Sequence, residues 1–361
     1  MVKTKQELQS ELQSETLQII GKRYSIGIEI GTGGGKTLLG LKHMAKIYND
    51  TTSFLVAAPT KKIFDSWTND ALKHGYEFLL SSITFTTYRS LKKQDLRHDF
   101  IYLDECHSLK HSHAEWLDMY LMGGGKLIGL MSEKAQMCNS YCPKIFEYHV
   151  DEAIDNGLLN NYKIYIHMLK LGKHNTVIKK KKGGGIWKTT EEKDYDYWNR
   201  ALSMASGQQS QMLRILRMKA IQSYRTKVEY VKQILNKIDH KTLVFANTKD
   251  QADELCKHSF HSSNKKSEEN LQLFAEGKIY RLSCVDQLSE GANIHDLKVG
   301  VIMHTFSNER KARQKIGRFL RLNPDETAVI HILCYENSVD LQWVKNALQS
   351  FDQSKIKVHR P

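Results

Sequence analysis

The sequence predicts an α/β protein of two tandem domains, each a mostly parallel sheet flanked by helices. Three observations carry this. Short apolar runs alternate with amphipathic helical patterns along both halves of the chain, the pattern of parallel sheets with helical crossovers. A glycine-rich string, IEIGTGGGKTLL at 28–39, lies between one such run and one such helix. At 361 residues and 40% hydrophobic content, the chain is large enough for two cores of ordinary domain size.

In the first half, residues about 5–20 predict a polar helix whose Leu8, Leu12 and Ile19 cover one edge of the domain. An apolar strand at 24–30 leads into the glycine string, and a helix at 38–48 follows it. The run 53–58 reads as a strand buried on both faces. It ends at Pro59-Thr60-Lys61, ahead of a helix with Phe64, Trp67 and Leu72. Residues 82–86 form the next strand, with Thr87, Tyr88 and Arg89 at its end. Strand 100–103 runs into Asp104-Glu105-Cys106-His107, and 127–130 closes this half. Such alternation puts the binding loops at the carboxyl edge of the sheet.

Two strings in this half carry chemistry. Gly31, Gly33, Gly34 and Gly35 remove side chains, so backbone N–H groups turn inward around a phosphate. Lys36 adds a point charge, and the Thr37 hydroxyl binds Mg²⁺. At the second string, Asp104 holds Mg²⁺ through its water shell, while Glu105 orients and deprotonates an attacking water. The plainer alternatives are a flexible glycine turn and an acidic turn. A strand before and a helix after the glycines favour a nucleoside triphosphate site.

Residues 146–159 read as a connector with a helical segment stopped by Gly157. The domains divide at 155/156, and 163–171 is the first strand of the second. An insertion at about 172–211 breaks the pattern, with lysines at 179–182, glycines at 183–185, and Trp187-Lys188 close together. Two readings stand: a basic hairpin or loop with an aromatic tip that touches nucleic acid, or a solvated surface loop. One long helical pattern fills 208–237. Strands at 241–245, 279–285, 299–304 and 328–333, with helices between and after them, complete a second alternating set. In QKIGRFLR at 314–321, Gln314, Arg318 and Arg321 share about one helical face. Guanidinium groups there suit the charge that develops on a γ-phosphate, and Gln314 suits the γ-phosphate or the water.

GTGGGKT, APT, TTYRS and DECH, in this order and at about this spacing, resemble motifs I, Ia, Ib and II of the superfamily 2 (DEAD/DEAH-like) helicases and translocases. The style is that of phage-type DNA helicases and restriction-enzyme motor subunits. Asn247-Thr248 and LSEGANI resemble motifs IV and V, and QKIGRFLR matches motif VI at its defining positions. The resemblance runs from about residue 10 to about 350, leaving no room for an added targeting or specificity domain.

It implies RecA-like domains with ATP and Mg²⁺ as cofactors. Gly31, Thr32, Gly33, Gly34, Gly35, Lys36 and Thr37 would hold the nucleotide, with Glu290 and Gly291 on the interdomain ATP face. Thr37 and Asp104 would hold the metal. Lys36, Asp104, Glu105, Gln314, Arg318 and Arg321 would be catalytic. Pro59, Thr60, Lys61, Thr86, Thr87, Tyr88, Arg89, Asn247 and Thr248 would hold nucleic-acid phosphates. One departure matters. Where the family's third motif carries Ser/Thr-Ala-Thr, this chain reads Met131-Ser132-Glu133. Ser132 supplies one hydroxyl, but its neighbours do not fit. That puts the coupling of hydrolysis to strand separation in question more than hydrolysis itself.

The net charge of +13, from 53 Lys+Arg against 40 Asp+Glu, suggests a polyanionic partner. No apolar run is long enough to span a bilayer, and the N-terminus has no signal-peptide core. The six cysteines show no paired framework, and Cys138/Cys142 lacks the second pair that zinc needs. A reduced, cytoplasmic protein follows, in a host cytoplasm if phage-encoded. The expectation is therefore a monomeric, ATP-dependent helicase that moves along nucleic acid and unwinds it, DNA favoured over RNA. A duplex translocase that does not unwind, and an ATP-switched nucleic-acid binder, are the alternatives.

Overall fold

A computed structural model describes residues 4–31, 34–132, 136–148, 150–156, 160–174, 176–180, 185–285, 294, 297–304, 315–316, 319, 326–349 and 351–361. The chain separates into two compact units, Met1–Asn160 and Asn161–Pro361, whereas the sequence placed the division at 155/156.

The first unit runs α1 (Lys5–Ile20), β1 (Ile26–Ile30), α2 (Lys36–Ile47), β2 (Phe54–Ala58), α3 (Lys62–His74), β3 (Ile83–Thr87), β4 (Phe100–Asp104), α4 (Ala114–Met122), β5 (Lys126–Met131), α5 (Gln136–Tyr141), β6 (Lys144–Tyr148) and α6 (Val150–Asp155). Among the described residues its sheet has the order β3-β2-β4-β5-β1-β6, with every pairing parallel. All residues of β1, β2 and β4 are buried because helices cover both faces. Helix α1 packs through Leu12, Gln13, Thr16 and Ile20, while Leu8 and Ile19 are only half-buried.

Two expectations are corrected here. Residues 146–148, read as connector, belong to β6, which pairs with β1. Its mixed sequence hides an edge strand: Lys144 Nζ lies 3.0 Å from Glu29 Oε2 and also pairs with Glu147. Gly157 lies outside the described residues. The cysteines are not all unpaired, because Cys106 and Cys138 form a disulfide with a Cα–Cα distance of 5.9 Å. Cys106 follows β4 and Cys138 lies in α5 after β5; these strands are neighbours, so their exits meet. Cys142, Cys256, Cys284 and Cys334 are buried and form no disulfide among the described residues.

The second unit runs β7 (Asn161–Leu169), β8 (Val177–Lys180), β9 (Ile186–Thr189), α7 (Glu191–Ser203), α8 (Gly207–Ser223), α9 (Arg225–Leu235), β10 (Thr242–Ala246), α10 (Lys249–Leu255), β11 (Ser259–Phe260), α11 (Ser267–Ala275), β12 (Arg281–Val285), β13 (Val299–Ile302), β14 (Thr327–Tyr335), α12 (Val339–Ala347) and β15 (Ile356–His359). Its main sheet has the order β11-β12-β10-β13-β14-β7-β15, again parallel among the described residues. The expected insertion holds an antiparallel hairpin, β8–β9, followed by α7. The long helix expected at 208–237 is two helices. Tyr224 between them is extended (φ −66°, ψ 143°), and its hydroxyl donates to Asp194 Oδ2 at 3.0 Å. No helix among the described residues is long and apolar enough to cross a membrane.

A buried histidine in the first unit and a half-buried one in the second favour their neutral forms. His43 Nδ1 meets the Tyr102 hydroxyl at 2.7 Å, and His331 Nδ1 meets His167 Nε2 at 2.9 Å. Burial pushes His43 and His331 down to about 4. The neutral forms are thus favoured in the fold, while the unfolded chain takes up protons from about pH 6.5 downward. Stability present above that pH is lost as pH falls toward 4, on the order of 1 kcal/mol for each histidine by pH 5. We expect the unfolding midpoint to fall by several degrees between pH 7 and pH 5, at about 2–4 °C per kcal/mol. His331→Gln should flatten that dependence; a midpoint indifferent to pH would refute the account.

Candidate nucleotide and nucleic-acid site

The parallel order delivers the carboxyl ends of β1, β2, β3, β4 and β5 to one edge of the first sheet. Gly31, Pro59, Tyr88, Glu105 and Ser132 each follow one of these strands directly. The turn after β1 is held from three sides. Gly31 N–H donates to Tyr148 O at 3.1 Å, Gly34 N–H to Gly31 O at 3.1 Å, and Gln13 Nε2 to Gly35 O at 3.1 Å. Space disfavours a side chain at Gly34, and the left-handed backbone disfavours one at Gly35. A Cβ on Gly34 would lie 2.2 Å from Ile30 Cγ2, and one on Gly35 (φ 78°) would lie 2.1 Å from Gln9 Nε2. Lys36 opens α2 and its ammonium donates to Ile30 O at 3.2 Å, at the end of β1. Thr37 follows in the first turn of that helix. Thr32 and Gly33 lie outside the described residues.

Asp104 ends β4 and is buried. Trp67 Nε1 donates to its Oδ2 at 2.8 Å, and Glu105 N–H donates to its Oδ1 at 2.8 Å. Burial above all, and then the neighbouring Glu105, push this carboxyl up to about 6; the Trp67 bond and the Lys36 charge oppose them. Glu105 sits in the left-handed region (φ 49°, ψ 47°), which turns its side chain away from the strand direction. Its Oε2 accepts from Ser132 Oγ at 3.2 Å and lies 3.3 Å from His107 Nδ1. Met131, the misfit of the third motif, is fully buried in β5, and Glu133 lies outside the described residues.

The nucleic-acid candidates divide by exposure. Thr60, Lys61 and Arg89 are exposed, and Pro59 and Thr87 half-buried. Thr86 and Tyr88 are buried, and the Tyr88 hydroxyl donates to Asp104 O at 2.7 Å. Tyr88 therefore braces the acidic strand end from within. In the second unit, Thr248 caps α10: its Oγ1 accepts from Gln251 N at 3.2 Å, while Gln251 Oε1 accepts from Asn247 N and Thr248 N at 3.2 Å each. Glu290, Gly291, Gln314, Arg318 and Arg321 lie outside the described residues. Of their neighbours, Lys315 and the fully buried Ile316 and Phe319 are described.

Trp67 and Gln13 are the two residues that sequence reasoning did not place at the site. Each sits on a helix remote in sequence from its partner, so no local pattern marks it. Trp67 has a measurable consequence. Its N–H stabilises the charged form of Asp104, so Trp67→Phe should raise the acid limb of the hydrolysis profile by about half to one pH unit, up to roughly 1.4 kcal/mol. An unmoved acid limb would show that the bond does not tune Asp104.

Residues 226–323 match the helicase conserved C-terminal domain family. The chain is 23% identical over 368 residues to the DNA 3'-5' translocase XPB2 of Sulfurisphaera tokodaii, covering 92% of this chain and 83% of that protein. Among solved structures it is similar to S. cerevisiae Dbp5 bound to RNA and ADP BeF3 (TM-score 0.58, 11% identity, 97% of this chain and 89% of that one). It is also similar to the ATP-dependent Type ISP restriction-modification enzyme LlaBIII bound to DNA (TM-score 0.64, 13% identity, 98% of this chain), of which it spans 31%. The structural likenesses establish the fold, two α/β units of the RecA-like kind. The sequence matches show similarity to the helicase conserved C-terminal domain over residues 226–323 and to a DNA translocase over most of the chain.

Proposed function

We propose that this protein hydrolyses Mg-ATP and uses the cycle to move along DNA and separate its strands. The carrying observation is that Lys36, Asp104, Glu105 and the exposed Lys61 and Arg89 all follow strand ends on one edge of the first sheet. In this reading the glycine turn and Lys36 hold the phosphates, and Thr37 and Asp104 hold Mg²⁺. Glu105, steadied by Ser132, orients and deprotonates the water. Arg318 and Arg321, with Gln314, take the transition-state role that the family resemblance assigns them. Thr60, Lys61, Thr87, Arg89, Asn247 and Thr248 make sequence-independent backbone contacts. DNA is favoured over RNA because the sequence relative is a DNA translocase. We take the working form to be a cytoplasmic monomer.

Movement on duplex without unwinding is the second reading. The buried Met131 in place of the family's small residue favours it. Strand displacement run beside triplex displacement, with ATPase rates on single-stranded DNA, duplex DNA and RNA across a salt series, separates these outcomes. Unwinding of tailed duplex supports the first reading. Triplex displacement alone supports the second, and neither activity would sink both.

A further inference from the structure

We propose that the second unit binds a small phosphate ester of the mononucleotide class, in a cavity on the edge of its sheet opposite Asn247 and Thr248. Three segments converge there: 238–240 ahead of β10, 255–258 from the end of α10 to β11, and 278–281 leading into β12. The strands lie in the order β11-β12-β10 with parallel pairing, so their amino ends share one edge. Asn247 and Thr248 follow the carboxyl end of β10, so this cavity is no part of the site already described. Its volume of about 550 Å³ falls within the range of roughly 300–1,000 Å³ that small-molecule sites occupy.

The lining carries an excess of positive charge. Among the described lining residues, Lys257, Lys278 and Arg281 stand against one carboxylate, Asp239. Lys278 is already paired, 2.7 Å from Glu276 Oε2. Among the described residues Lys257 and Arg281 have no carboxylate partner. The half-buried Arg281 guanidinium donates from Nη2 to Ile238 O at 2.9 Å, which orients its plane and leaves further N–H groups for a ligand. Such a fork suits the paired oxygens of a phosphate, and the exposed Lys257 adds a point charge. The rest of the lining is apolar. Tyr280 is 64% exposed, Ile238 and Ile279 are half-buried, and Leu255 and Cys256 are buried beneath them. A free phosphate ion would use only the cations. A phosphate ester with a flat heterocycle also covers the Tyr280 ring and the isoleucines, and Asp239 accepts from the hydroxyls of the sugar between.

The test titrates the full chain calorimetrically with AMP in the absence of Mg²⁺, and separately with inorganic phosphate. The parent should bind AMP saturably and phosphate at least about tenfold more weakly, because phosphate forgoes the apolar contacts. Arg281→Gln should weaken AMP about tenfold, and Lys257→Gln about threefold. Tyr280→Ala should weaken AMP about fivefold and leave phosphate within about twofold of the parent. Lys257 and Tyr280 are exposed, so their variants should keep the parent's unfolding midpoint and carry the test even where Arg281→Gln disturbs the fold. AMP also has the glycine turn open to it, and Lys36→Ala serves as the control: its AMP affinity should stay within about twofold of the parent. Absence of saturable AMP binding would overturn the proposal, as would binding lost in Lys36→Ala and kept in the cavity variants. Phosphate bound as tightly as AMP would overturn the mononucleotide assignment.

Discussion

Lys36→Ala should abolish nucleic-acid-stimulated ATP turnover, lowering kcat by at least about a thousandfold, or roughly 4 kcal/mol of transition-state stabilisation. The first turn of α2 still offers backbone N–H groups to a phosphate without it. What disappears is a cation placed where β1 ends, close enough to Asp104 to oppose the burial that raises that carboxyl. Charge developing on a transferred phosphoryl group would then lose the Lys36 charge. The Lys36 ammonium bonds a carbonyl at the strand end and its side chain is only half-buried, so the variant should fold. Phosphate release measured with single-stranded DNA decides the matter: parent-like turnover would remove Lys36 from the site.

The largest stability loss should come from a residue far from the chemistry. Lys227 is fully buried, and its ammonium donates to Asp340 Oδ2 at 2.5 Å, Met303 O at 2.8 Å and Leu333 O at 3.1 Å. His304 Nδ1 lies 2.9 Å from it, and the Tyr335 ring lies 5.1 Å away. One cation thus ties α9 to the ends of β13 and β14 and to α12. Lys227→Met keeps much of the volume but strands Asp340, whose carboxyl burial already pushes up. We expect a loss of about 3–5 kcal/mol, equivalent to roughly 10 °C in the midpoint of this unit. Adding Asp340→Leu should recover a large part, because the isolated charge goes with it. A single variant as stable as the parent would show that the pair is dispensable.

The sequence by itself determined whatever depends on near neighbours. Apolar runs specified the central strands, and the strand–glycine–lysine–helix order specified the turn between β1 and α2. Asp104-Glu105 could be recognised because the strand that buries it is continuous with it. Edge strands were less legible: β6 mixes Lys144 and Glu147 with apolar residues, and β15 alternates lysine and histidine with aliphatics. Only the tertiary structure decided which distant groups share a site. The strand order puts β5 between β1 and β4, which brings Ser132 to Glu105 and Cys138 to Cys106. Helix packing sets Trp67 on Asp104 and Gln13 on Gly35, and it turns Tyr88 inward. Lys227 and Asp340 are 113 residues apart and read as ordinary surface charges until β13 and β14 are paired. The physical reason is one of range. Periodicity and turn chemistry act over a few residues, whereas burial, which sets a carboxylate's proton affinity or a lysine's cost, is fixed only when strands from distant parts of the chain lie side by side.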